Sequence, residues 1–151
     1  MIENNVTNDL KQFIVVKIDN EQYGIDIGYV DNIVRMQRIT RVPKAQSYFE
    51  GVINLRGEVI PVMSMRKKFG LDEDVVTGKT RIIILKAEQQ GSFGVQVDEV
   101  KEVVTLSDEQ MEKTGYDKKQ EDGNNFLMGI GKHDDDLISL LNISALISED
   151  E

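Results

Sequence analysis

The sequence predicts a mainly β protein made of two small, related subdomains with a few short helices. Three observations carry this reading. Residues 23–34, YGIDIGYVDNIV, align without a gap on residues 93–104, FGVQVDEVKEVV, with apolar, glycine and polar positions largely coinciding. Each copy follows an apolar run and a polar turn, the pattern of a hairpin. A second hairpin repeats as well: Gly51 matches Gly129, and residues 58–65, EVIPVMSM, match residues 136–143, DLISLLNI. The common order of these matches argues for two β subdomains related by a pseudo-two-fold.

Taken in chain order, residues 1–11 carry Glu3, Asn4, Asn5 and Asp9 where a secretory signal needs a basic start and an apolar run, so they read as a flexible N-terminal segment. A single domain is expected over residues 12–148. Phe13 to Ile18 is strand-like, and Asp19 to Gln22 forms its turn. The apolar spacing of residues 30–34 fits one helical turn or a short half-buried strand, and the turn-rich surroundings favour strand. GVINLRGEVIPV, residues 51–62, reads as two strands joined at Arg56-Gly57. Ser64 to Gly70 reads as a short helix with basic residues in its last turn and a glycine to cap it. Residues 71–79 look like a linker between the halves. The run Ile82 to Leu85 opens the second half, and residues 107–125 form a polar insertion whose Ser107 and Gln110 resemble a capping box.

Composition narrows the function. The chain has 151 residues, 27 acids against 18 bases and a net charge of -9, which repels phosphate backbones and anionic lipid heads, so nucleic acid and direct membrane insertion are not expected. No apolar run approaches the ~20 residues of a membrane-spanning helix. The absence of cysteine removes disulfides and thiol chemistry and fits a reducing compartment, with the cytoplasm as the simplest home.

Catalytic constellations are incomplete. Thr77-Gly78-Lys79-Thr80 ends like a phosphate-binding loop, but Glu73 stands where the motif needs glycine, and a strand-like run follows where it needs a helix. His133-Asp134-Asp135-Asp136 has metal-binding residue types, yet it aligns on Leu55-Arg56-Gly57-Glu58 and so reads as a hairpin tip. One histidine and no cysteine leave nucleophilic triads without their parts. No enzyme activity, metal or cofactor is expected. Arg56 remains unexplained, because a tight turn uses the glycine at 57 and does not demand arginine at 56. Two readings stand: a solvated charge pairing loosely with Glu58, or a recognition residue with five guanidinium donors.

The residues also carry a resemblance. The chain is similar to the CheW family of bacterial chemotaxis coupling proteins in Gln22 to Ile27 with Val30 and Ile33, in Val42-Pro43 followed by Gly51 to Gly57, in Ile60-Pro61-Val62, and in Gly94 to Val100. Together these pieces extend over roughly residues 12–147, and Asn-Leu-Arg-Gly is the most specific. Ser64 and Asn142 depart from the pattern, since family members often carry an acid there. The resemblance implies two SH3-like five-stranded β-barrels with a groove between them. It also implies a non-enzymatic adaptor, monomeric when isolated, recruited to membrane-associated arrays. Its partners would be the cytoplasmic tips of methyl-accepting chemoreceptors and the regulatory domain of the histidine kinase CheA. By motif, Val30, Gly51 and Arg56 would contact the receptor, and Asn32, Ile33, Met111 and Tyr116 the kinase. A CheV-type coupling protein would add a receiver domain after residue 151, and a kinase would add domains before residue 12; the length fits a stand-alone adaptor. The alternatives are a scaffold of another array-based pathway, or a small carboxylate hydrolase, which would differ by turning over a substrate.

Overall fold

A computed structural model of the chain describes residues 10–72, 75–87, 91–113 and 126–147. The apolar runs form strands. β1 (Lys11–Ile18) and β2 (Glu21–Asp26) make the first hairpin, followed by a 3-10 turn at Ile27–Tyr29 and by β3 (Val30–Arg35). β4 (Phe49–Leu55) and β5 (Glu58–Ser64) make the second hairpin and lead into α1 (Met65–Lys68). The second half gives β6 (Arg81–Ala87), β7 (Gly91–Val97) and β8 (Glu99–Leu106), then short β9 (Met111–Lys113), β10 (Leu127–His133), β11 (Asp136–Leu141) and α2 (Ile143–Ile147). In β1 and β6 four consecutive side chains are buried, Phe13 to Val16 and Ile82 to Leu85. Such unalternated runs belong to strands covered on both faces.

The strands form two sheets, ordered β8-β1-β2-β11-β10-β9 and β3-β6-β7-β5-β4. Placing the two repeats on these orders shows an exchange that the linear repeat hides. The hairpin β1–β2 of the first repeat joins β8, β10 and β11 of the second, while the hairpin β6–β7 of the second joins β3, β4 and β5 of the first. The equivalence extends to register: the parallel pair Leu140 with Gly24 corresponds to Val62 with Gly94. Both second hairpins carry a bulge at the same place, between Leu127 and Gly129 and between Phe49 and Gly51. β9, at the edge of its sheet, is matched beside β4 only by the single antiparallel bridge of Thr40 to Val52, the repeat equivalent of Ile130.

One compact unit comprises Met1–Val15, Glu21–Gly28 and Lys101–Glu151, the other Val16–Asn20 and Tyr29–Val100. The first is centred on Phe13, Val15, Val104, Leu106, Ile138 and Leu140, and the second on Ile53, Ile60, Val62, Ile82 and Ile84. Each such buried side chain contributes about 1.5–3 kcal/mol relative to its exposed state.

Several expectations need adjusting. The described residues of the expected linker, 71–72 and 75–79, do not separate the units but lie inside the second one. The insertion opens with one 3-10 turn, Asp108–Gln110, and then pairs with β10 as β9; residues 114–125 lie outside the described residues. The ambiguous residues 30–34 are strand. Helix α1 is as expected, with Ser64 Oγ accepting from the Lys67 N–H at 3.1 Å and Gly70 at φ 76 ending it. Helix α2 was not expected. Asn142 caps it, its Oδ1 accepting from the Ala145 N–H at 3.1 Å. Ser64 and Asn142 occupy equivalent repeat positions, and their N–H groups bond to Tyr48 O at 2.8 Å and Phe126 O at 2.6 Å. Ser, Asn and Asp are near-equal N-caps, which accounts for both departures from the family's acid.

Candidate functional site

The Asn54-Leu55-Arg56-Gly57 segment closes the β4–β5 hairpin. Leu55 pairs with Glu58, leaving Arg56 and Gly57 as a two-residue loop. Both have positive φ, 54° and 83°, as a type I′ turn requires. The Asn54 side chain accepts from the Gly57 N–H at 3.2 Å and so holds the turn from below. Glycine suits position 57, but an arginine in the left-handed region costs about 1 kcal/mol. The turn therefore disfavours arginine rather than merely leaving it optional. Asp134, at the equivalent place in the β10–β11 hairpin, has φ 57°, and aspartate tolerates that left-handed region better than arginine does. Arg56 is exposed, and among the described residues it makes no ion pair, with Glu58 or any other acid. No described acid thus accounts for an arginine at this turn.

Gly51 sits buried at the β4 bulge with φ 140°. A Cβ there would lie 2.2 Å from the Thr40 carbonyl oxygen, which accepts from the Val52 N–H at 2.9 Å while the Thr40 N–H donates to Val52 O at 2.8 Å. Gly51 therefore shapes this surface through its backbone. Val30 begins β3, half-buried opposite Leu85. Asn32 is half-buried opposite Ile84 and turns its Oδ1 to the Ile33 N–H at 2.9 Å. Ile33, opposite Ile83, keeps 36% of its surface exposed. The structure thus brings Val30, Asn32 and Ile33 together on β3, one end of the five-stranded order, and puts Gly51 and Arg56 on or beside β4 at its other end. Met111 belongs to the other unit, on β9, where it packs partly buried against Phe13 and its neighbours. Tyr116 lies outside the described residues.

One cluster escaped sequence reasoning. Arg66 of α1 grips Asp98 through Nε at 3.0 Å and Nη2 at 2.9 Å, and its Nη2 also reaches Asp19 at 3.4 Å. The Asp19 N–H donates to Asp98 Oδ2 at 2.8 Å, and the Asp98 N–H to Lys17 O at 3.1 Å. Burial alone would raise the Asp98 pKa. The Arg66 hydrogen bonds, the Asp19 N–H and the charges of Arg66 and Lys17 outweigh it, holding the carboxyl below its ordinary range. The signal was a break in the repeat, since Asp98 aligns on Gly28. A cavity of about 240 Å³ lies beside this network, lined by Arg66, Asp19 and Asp98 together with Lys17, Lys79 and Glu99.

The chemistry-bearing motifs resolve as turns. Thr77 N–H donates to Thr80 Oγ1 at 2.9 Å and Lys79 N–H to Thr77 Oγ1 at 3.0 Å, and strand β6 follows. His133 pairs with Asp136 to close the second hairpin. No group of three or more metal-ligating side chains converges among the described residues. None of their helices is long and apolar enough to cross a membrane.

Two repeat-built β units, a hairpin tip bearing an arginine that its own turn opposes, and polar motifs spent on local turns define a protein–protein interaction module. The comparisons give the family. The model of the CheW-like domain matches residues 12–151, and the chain belongs to that family. It is 33% identical to the chemotaxis protein CheW of Bacillus subtilis over 93% of this chain and 88% of that one. It is 34% identical to the chemotaxis protein CheW of Helicobacter pylori over 94% and 84%. The crystal structure of the scaffolding protein TtCheW from Thermoanaerobacter tengcongensis superposes with a TM-score of 0.77 at 32% identity, covering 87% of this chain and 88% of that chain.

Proposed function

We propose that this chain is a chemotaxis adaptor that couples methyl-accepting chemoreceptors to the histidine kinase CheA and performs no catalysis itself. Residues 12–148 act as one cytoplasmic domain recruited to receptor arrays at the membrane, and the isolated domain is a monomer. Val30, Gly51 and Arg56 serve the receptor's helical tip, with Gly51 acting through backbone shape. Asn32, Ile33, Met111 and Tyr116 serve the kinase's regulatory domain. Arg56 supports this reading best. It sits exposed at the apex of a rigid hairpin, free of the described acids, in a conformation that other residues adopt more easily, so its benefit lies in a complex. A guanidinium offers a fork of donors to carboxylates or helix-end carbonyls of a receptor tip, and apolar contact supplies the rest of a helix-in-groove mode.

The test is titration of the purified chain with a receptor-tip fragment and, separately, with the isolated kinase regulatory domain. Arg56→Ala should weaken receptor binding by about 1 to 3 kcal/mol, and Arg56→Lys should recover only part, because lysine keeps the charge without the planar fork. Parent-like affinity of Arg56→Ala for both partners would remove Arg56 from recognition.

A further inference from the structure

The connection from β3 to β4 carries a feature that coupling through Arg56 leaves unused. Between Asp31 and Glu50 the chain has no acid, yet it places Arg35, Arg38, Arg41 and Lys44 three residues apart, in a protein of net charge -9. All four are exposed, and none forms an ion pair with a described residue. The segment is firmly held. Met36 and Ile39 pack against the core of Ile53, Ile60, Val62, Ile82 and Ile84, and Thr40 is bonded to Val52 in both directions at 2.8 and 2.9 Å. Anchors at 36 and 39 leave 35, 38 and 41 pointing out, so the basic row follows from the same spacing that buries the apolar side chains.

A second observation sets the row apart from ordinary surface charge. Arg35 stands directly opposite Arg81 across the β3–β6 pair, an arrangement of like charges that destabilises a sheet. Arg81 turns its guanidinium to Gly78 O and Thr80 O, both at 2.9 Å, which leaves Arg35 facing solvent with no acid to relieve it. Val42, 42% exposed, lies within the row between Arg41 and Lys44.

We propose that this row is a docking site for an acidic protein segment with carboxylates flanking an apolar side chain. Arginine forks match carboxylates two bonds at a time, and Val42 supplies the apolar contact. A narrow segment can follow the row while staying clear of the acidic remainder of the chain, whose repulsion reaches only about 8 Å at physiological salt. A membrane or a nucleic-acid duplex would press a broad anionic surface against that remainder.

Fluorescence anisotropy of a labelled decapeptide of glutamates with a central leucine, titrated with the full chain, tests the proposal without receptor or kinase, so its outcome is separate from the coupling reading. The parent should bind, with affinity falling as salt rises. Arg41→Gln should weaken binding about two- to five-fold, as expected for one exposed ion pair. Arg38→Glu/Arg41→Glu should weaken it about tenfold or more, while Lys101→Glu/Lys132→Glu, with the same change of net charge on the other unit, should stay within about twofold. Thermal melting checks folding, and the single Gln variant decides the matter if the double variant unfolds. Equal losses in the two double variants, or no binding by the parent, overturns the proposal. So does a parent that ignores the peptide but binds phosphatidylserine vesicles or single-stranded DNA.

Discussion

At position 56 stability and recognition pull in opposite directions. The left-handed backbone there, φ 54°, favours glycine or asparagine, so Arg56→Asn should stabilise the fold by about 0.5–1 kcal/mol and raise the melting temperature by about 1–4 °C for a chain of this size. The same variant should lose receptor affinity. A melting curve paired with a binding titration checks both, and a fall in melting temperature would mean that the side chain makes a stabilising contact. Arg56→Ala, which keeps a Cβ, should leave stability within about half a kcal/mol. The sequence made the arginine conspicuous but not its strain, because Arg-Gly is compatible with several turn types and only the paired positive φ values single out this one. Asp134 at the matching turn shows the residue that local preference selects when no arginine is wanted.

At the scale of the element, the strands were legible wherever apolar runs were bounded by polar turns, whereas the bulge that both hairpins carry beside Gly51 and Gly129 was not legible in the match of those glycines. Nor was helix α2, since five residues, ISALI, are too few to show a helical period. Its cap was visible only through equivalence with Ser64. Asn142→Ala should cost about 1 kcal/mol by freeing the Ala145 N–H, whereas Asn142→Asp should cost little, since the two residues cap about equally well. Chemical denaturation of both variants checks this, and equal losses would assign the role of Asn142 to something other than the cap.

At the scale of the whole molecule, the repeat was readable and the exchange of hairpins was not, because alignment of two segments does not say which sheet each strand enters. The Arg66–Asp98–Asp19 network was equally hidden, since its members are far apart in sequence. Asp98 titrates below its unfolded value, so its contribution to stability is fully present above about pH 4 and is lost as pH falls through the folded value. Asp98→Asn should therefore be less stable than the parent at neutral pH, and the gap should narrow in acid; a gap independent of pH would mean that the ion pair contributes nothing. The exchange gives a second test. A fragment of residues 1–76 holds β1 and β2 without β8 and β11, and β3 without β6, so circular dichroism should show it unfolded. A cooperative melt of that fragment would contradict the strand order.

The exchange also sets an order of events during synthesis. The β1–β2 hairpin leaves the ribosome early, but Tyr23 of β2 pairs with Ser139, which is made on the order of ten seconds later at ~5–20 residues per second. A two-stranded hairpin is marginal alone, so the sheet that holds β1 and β2 stays unfinished until β10 and β11 have been made. Completion of the six-stranded sheet is therefore governed by the β10–β11 hairpin, and stalling before that hairpin leaves β2 with an unpaired edge open to aggregation while β3 to β7 already have their sheet partners.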